Sequence, residues 1–204
     1  MDTIFHIIIL VFSVVIHEVA HGYAAYMLGD HTAKYQGRLT LNPLKHLDPF
    51  GSVILPLLLH LSNAGFMIGW AKPVPFNPYN LKNQRWGEAI VAVAGPLSNI
   101  AIALIFGIFI RIGLTAGFMS AEVLNITAYI VLINLVLAVF NLVPIPPLDG
   151  SKIIFTIFNV QWNQTRLFLE RFGFFLVLGF VFLLWPVVSP VILHLFALIT
   201  GVSI

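Results

Sequence analysis

Residues 4–28 pass through 25 positions with a single formal charge, Glu18. At about 1.5 Å per helical residue this run covers about 37 Å, more than the roughly 30 Å hydrocarbon core of a bilayer. Such a segment belongs either in a large protein interior or in a membrane, and the rest of the chain decides between them. Residues 86–110 and 121–143 repeat the pattern with few charges. Only 9 % of the 204 residues are Asp, Glu, Lys or Arg, against 59 % apolar types and a mean hydropathy of +0.98. A soluble domain carries roughly 25 % charged residues, so this chain has too few polar side chains to cover a surface facing water. An integral membrane protein is expected. No basic residue precedes the first run, so it reads as a retained span rather than a removable signal.

Two further apolar runs are interrupted. Residues 50–68 contain Gly51, Pro56, His60, Asn63 and Gly65, which suits a short broken helix or a re-entrant hairpin. Residues 172–199 carry Trp185-Pro186 and Pro190 midway, so they read as one kinked span or a helical hairpin. The expected fold is a single domain over 1–204. It is an all-α polytopic membrane bundle of about four to six transmembrane helices, with a short re-entrant, extended β-like insertion between the first and second clear spans, within residues 38–78.

The net charge of +2 and pI of 9.1 do not indicate nucleic acid, because the ten basic residues form no cluster. They do indicate orientation. Lys34, Arg38, Lys45, Lys72, Lys82 and Arg85 fall between the first and second clear spans, and Lys152, Arg166 and Arg171 follow the third. If 50–68 returns to its own side, all except Arg111 share one face, which basic residues mark as cytoplasmic. The N-terminus is then outside. The absence of cysteine excludes disulfides, thiolate metal sites and a cysteine nucleophile.

Ionisable residues inside such spans are costly and mark function. The first span contains His17-Glu18-Val19-Ala20-His21. Residues i and i+4 share a helical face, so both imidazoles can reach one metal ion, and Glu18 can approach a water held by it. Two imidazoles and a carboxylate suit Zn²⁺ and leave a fourth position open. Among the acidic residues, Asp2, Asp30, Asp48, Glu88, Glu122 and Glu170 fall in tails, loops or span edges. Asp149 differs, because it follows Pro144-Ile145-Pro146-Pro147-Leu148, where three prolines forbid a continuous helix and allow the carboxylate to turn back into the bundle. A helix N-cap is the other use of Asp149. Asn99, Asn134 and Asn141 are amides in or at the ends of spans, able to bond an unwound peptide or to tie helices together. Gly95 and Ser98 read as small packing residues.

Three motifs in order, His17-Glu18-Val19-Ala20-His21, Gly95-Pro96-Leu97-Ser98-Asn99 and the NxxPxPxLDG run from Asn141 to Gly150, resemble the site-2 protease family of intramembrane zinc metalloproteases. The stretches Gly37 to Pro43 and Gly69 to Pro78 look like its small prokaryotic members, and 204 residues leave no room for PDZ or CBS modules. The resemblance implies one Zn²⁺ per chain, held by His17, His21 and Asp149, with Glu18 as general base and Asn141 beside the active centre. It also implies a multi-pass protein of a prokaryotic cell membrane whose partners are transmembrane segments of protein substrates and the surrounding lipid. A non-catalytic metal-binding scaffold or metal-ion transporter using the same three ligands is the alternative reading.

The run Gly69-Trp70-Ala71-Lys72-Pro73-Val74-Pro75-Phe76 cannot be helical, because Pro73 and Pro75 lack N–H groups and push the preceding residues toward extended geometry. An edge strand is expected there, near the metal, clamping an unwound substrate by strand addition. A proline-rich loop at the membrane boundary anchored by Trp70 is the alternative.

Overall fold

The computed structural model describes residues 3–54, 58, 61, 62, 69–159 and 164–202. Among the described residues, four helical segments are long and apolar enough to cross a membrane: Ile4–Met27, Gly87–Thr115, Ala121–Asn141 and Gln164–Thr200. The first lies in helix α1 (Thr3–Met27). A four-residue turn, α2 (Thr32–Tyr35), follows it. The second and third are α3 (Gly87–Thr115) and α4 (Ala121–Asn141). A short helix, α5 (Asp149–Ile157), precedes the fourth, which joins α6 (Gln164–Gly179) to α7 (Trp185–Thr200) through a π-helical turn at Phe180–Leu184.

Helix α3 is the centre of the bundle and packs against α1, α4, α5 and α7. The core between α3, α4 and α7 consists of Ala103, Ile110, Val131, Leu135, Ile192 and Phe196. Large apolar side chains such as Ile105, Leu114, Phe175, Phe182 and Leu183 stand exposed on the outer faces. In water such a surface would associate; against hydrocarbon it is already solvated.

The run 172–199 lies within one continuous helical path from Gln164 to Thr200. Pro186 lacks the N–H that would bond back to residue 182, and the wide turn immediately before it absorbs the mismatch. Arg111, the lone basic residue at the far end, donates from Nε to the Ile199 carbonyl at 2.8 Å and from Nη2 to the Leu198 carbonyl. It closes the last turn of α7, where a helix leaves carbonyls without partners and a cation is favoured.

The expected β-like insertion does not exist: among the described residues there is no β-strand. Residues 69–76 contribute only one isolated bridge, Ala71 to Leu47. A ladder needs regularly spaced backbone donors, and two of these residues are prolines. The Lys72 N–H donates to the His46 carbonyl at 2.8 Å beside that bridge, and side chains meet several of the remaining groups. Arg38 Nη2 donates to the Lys72 carbonyl at 2.8 Å and to that of Pro73 at 3.3 Å. The N–H of Val74 reaches Glu18 Oε2 at 2.8 Å, and that of Asn77 reaches Asp30 Oδ2 at 2.7 Å. Asp30 also accepts from Thr32 and from Asn80 Nδ2, fastening the end of α1 to this segment. Burial of Asp30 opposes ionisation, but these donors outweigh it and lower its pKa from the ordinary value of 3.8.

Much of 50–68 lies outside the described residues, but Gly51 and Ser52 at its start meet Trp70, two residues past its end. The N–H of Trp70 donates to the Gly51 carbonyl at 3.2 Å, and Ser52 Oγ donates to the Trp70 carbonyl at 2.7 Å. The Trp70 indole covers Gly51 so closely that a Cβ there would overlap it. The chain therefore leaves and returns at one place.

Candidate metal centre

Ser13, His17 and His21 recur every four residues along α1 and are all buried, so they form one row facing α3. The opposing row on α3 is Val91, Gly95 and Asn99, again at four-residue spacing. The rows are matched by hydrogen bonds: His21 Nδ1 lies 2.7 Å from the Val91 carbonyl, and His17 Nδ1 lies 2.6 Å from Asn99 Oδ1. Between them Gly95 leaves space for the rings; a Cβ there would lie 2.7 Å from His17 Cε1 and closer still to the His21 ring. Asn99 is held in turn, donating from Nδ2 to Asn134 Oδ1 at 2.8 Å and to the Ser13 carbonyl at 3.4 Å. Asn134 Nδ2 donates to Ser13 Oγ at 3.0 Å. Three helices thus share one buried amide network, and it ends on an imidazole.

Asp149 reaches the same point from the other side. After α4 the backbone unwinds, and Gly150 comes so close to the carbonyls of Leu142 and Val143 that any Cβ would strike them. This closed turn opens α5 with Asp149 as its first residue. Leu148 takes the N-cap position, so Asp149 does not act as the cap. Its Oδ2 instead lies 3.2 Å from His17 Nε2 and 3.0 Å from His21 Nε2, and the two Nε2 atoms are 3.1 Å apart.

These three atoms fit a metal. Bonds of about 2.0–2.1 Å in a tetrahedral zinc site put neighbouring ligand atoms about 3.3 Å apart, close to the spacings found. The Val91 carbonyl can only accept, so His21 Nδ1 carries a proton, and in the neutral ring its Nε2 lone pair faces Asp149. Asn99 does the same for His17. Three electron-rich atoms gathered without protons between them repel one another unless a cation lies among them. His17, His21 and Asp149 meet this description as a buried group whose ligand atoms all lie within 4.8 Å of one another.

The other sequence candidates divide. Glu18, one position from His17, is half-buried, with Oε2 on the Val74 N–H. The segment 69–76 runs beside it: Val74 is buried against Gly22, and the Phe76 ring lies 5.6 Å from Lys152 Nζ. Asn141 donates back to the Leu137 carbonyl of its own helix at 2.9 Å. Asn99, at 0 % exposure, is closed to a substrate and serves His17. Lys152, three residues after Asp149 and bonded to its Oδ1 at 3.3 Å, escaped the sequence reading, although i to i+3 spacing on a helix was the available signal. So did Arg166, which pairs bidentately with Glu88 at 2.7 and 3.2 Å and lies over Phe155 of α5.

Comparison with known proteins agrees with this geometry. The model of Peptidase family M50 matches residues 112–185, which include the turn carrying Asp149. "Putative zinc metalloprotease YwhC" of Bacillus subtilis (strain 168) is 41 % identical over 197 residues, covering 90 % of this chain and 85 % of the relative. "Putative zinc metalloprotease Rip2" of Mycolicibacterium smegmatis is 30 % identical over 181 residues, covering 87 % of this chain and 65 % of the relative. "Putative zinc metalloprotease MJ0611" of Methanocaldococcus jannaschii is 40 % identical over 74 residues, or 36 % of this chain and 33 % of the relative. No solved structure gives a significant match. With a His/His/Asp cluster inside a four-span bundle and such a relative along nearly its whole length, the chain belongs to peptidase family M50 and is a zinc-dependent intramembrane endopeptidase of the site-2 protease type.

Proposed function

We propose that this enzyme hydrolyses peptide bonds within or beside transmembrane segments of membrane proteins, using one Zn²⁺ per chain held by His17, His21 and Asp149, with Glu18 as general base. The convergence of His17 Nε2, His21 Nε2 and Asp149 Oδ2 within a membrane bundle carries the reading. His17 and His21 lie ten and six residues before Met27, so the site is about 15 and 9 Å from that end of α1. Nine of the ten basic residues fall in segments at that end of the bundle, which supports a cytoplasmic position for it and an outside position for the N-terminus. Water then reaches the site by a short route.

When bound, the ion polarises the scissile carbonyl and acidifies the attacking water. The protein's own residues do the rest. Glu18 takes the proton from that water as its oxygen adds to the carbonyl carbon, then returns it to the amine nitrogen as the C–N bond breaks. Asn99 and the Val91 carbonyl keep both imidazoles turned to the ion. The wall 69–76, beside Glu18, is where a locally unwound substrate lies. The Val74 N–H, already bonded to Glu18, helps to orient the carboxylate and is not part of a preformed strand edge.

The test is a set of purified variants with a single-span test protein in liposomes. Glu18→Gln keeps zinc and fold while turnover falls by about 10² to 10⁴, because the amide matches the shape but accepts no proton. His17→Ala and Asp149→Ala lose zinc and activity together. Full turnover in Glu18→Gln removes Glu18 as base, and full zinc occupancy in Asp149→Ala points to another third ligand.

A further inference from the structure

Peptide hydrolysis moves charge as well as a proton. When the water oxygen bonds to the carbonyl carbon, the C=O π pair moves onto the carbonyl oxygen and forms an oxyanion. When the adduct collapses, the double bond re-forms, the C–N bond breaks, and the amine leaves with the proton carried by Glu18. A donor fixed beside that oxygen is worth a large factor, because it acts most strongly where negative charge develops.

Few groups near the triad are free to be that donor. The Asn141 amide gives one of its two N–H groups to Leu137 of its own helix, and the Asn99 amide gives both of its own to Asn134 and Ser13. The Val74 N–H is on Glu18. Arg38 is held through Nη2 by the carbonyls of Lys72 and Pro73, with its buried Nε left unpaired but no contact to the triad, and Arg166 is tied to Glu88 and Glu170. Lys152 is different. Among the described residues it is the one Lys or Arg paired with a member of the triad, at 3.3 Å from Asp149 Oδ1, the oxygen that does not face the imidazoles.

Its placement suits the task. One of three ammonium donors is directed at Asp149, which leaves two. The side chain is 28 % exposed where that of Asp149 is 8 %, so Lys152 is the more open member of the pair. The same ammonium lies 5.6 Å from the Phe76 ring, at the end of the 69–76 wall. Lys152 therefore bridges the ligand that helps to hold the ion and the surface along which the substrate runs.

We infer that the Lys152 ammonium donates a hydrogen bond to the oxyanion of the tetrahedral adduct, a catalytic role that rests on the proteolytic reading of the site. The competing use is to orient Asp149, since partners behind a metal ligand contribute about 10–100-fold to metal affinity. The two uses separate in Lys152→Met and Lys152→Arg. Three quantities are read for each: zinc affinity by chelator competition, kcat and KM on the single-span test protein, and affinity for a phosphinic pseudopeptide, whose tetrahedral anion mimics the adduct.

Oxyanion stabilisation predicts that Lys152→Met holds zinc and KM within about threefold of the wild type. Its kcat falls by about 10² or more, the cost of losing one such donor, and pseudopeptide affinity falls by a similar factor. Lys152→Arg, which keeps the charge, recovers part of both. Zinc affinity falling in step with kcat overturns the inference in favour of an orienting role, and unchanged pseudopeptide affinity overturns it outright. A wild type that cleaves nothing refutes the proteolytic reading instead. The pseudopeptide comparison still reports on Lys152 in that case, because it needs no turnover.

Discussion

Replacing Asn99 by Leu, close to it in size, tests whether the amide network sets the metal site. Asn99 is fully buried, and its two polar atoms serve different partners: Oδ1 receives His17 Nδ1 at 2.6 Å, and Nδ2 donates to Asn134 Oδ1 at 2.8 Å. Leucine leaves the His17 N–H and the Asn134 carbonyl oxygen without their partners. Each buried unsatisfied group costs about 1–3 kcal/mol, so the folded bundle loses about 2–6 kcal/mol before any relaxation. Asn134 Nδ2 keeps its bonds to Ser13 Oγ and to the Ile130 carbonyl, so the loss is confined to the Asn134 oxygen and the His17 N–H. Zinc binding suffers separately. With no acceptor at Nδ1, the His17 ring is free to turn and to carry its proton on Nε2, and affinity falls by about 10–100-fold. Asn99→Asp divides the two effects, because it keeps an acceptor for His17 while removing the donor to Asn134. It is expected to retain zinc affinity within about tenfold of the wild type while losing thermal stability. Chelator competition and thermal unfolding in detergent read the two quantities independently. An Asn99→Leu protein that folds and binds zinc as tightly as the wild type would refute the reasoning, since His17 would then need no partner behind it.

Gly95→Ala puts a methyl group against both imidazoles and is expected to lose zinc while the bundle remains helical by circular dichroism; wild-type zinc affinity would show that the helices part without cost. The lowered pKa of Asp30 makes its contribution to stability full above its unfolded value of 3.8 and lost as pH falls through the lower folded value. Melting temperature should therefore drop below about pH 4 in the wild type, and that portion of the pH dependence should be absent from Asp30→Ala. Arg111→Ala uncaps α7 and should cost about 1–3 kcal/mol without changing zinc affinity. Since the chain has no cysteine, single cysteines at positions 34 and 82 should label from one side of the membrane and one at 116 from the other. Labelling of 34 and 82 from opposite sides would contradict the closed base at Gly51 and Trp70.

The parts of this protein that repeat along one helix were legible in its sequence, and the parts that depend on which helix faces which were not. His17 and His21 share a face of α1 by spacing alone, and Asp149 stands out because three prolines before it break the helix. Nothing local indicates that the Gly95–Asn99 row of α3 meets that face. Asn99 therefore read as a substrate amide or helix glue, when its position in the bundle makes it the partner of His17. The strand expected at 69–76 failed for a similar reason. Alternating prolines do exclude a helix, and none forms there, but a strand also requires a neighbour that offers backbone groups in register. Here two N–H groups reach the separate backbone carbonyls of Gly51 and His46, and the other partners are the side chains of Glu18, Arg38 and Ser52. A segment held in this way is fixed at single points and not along a ladder, so each contact can be released without unzipping the next. Under the proposed function, that arrangement suits a wall that holds a position beside Glu18 and still yields to an incoming substrate chain.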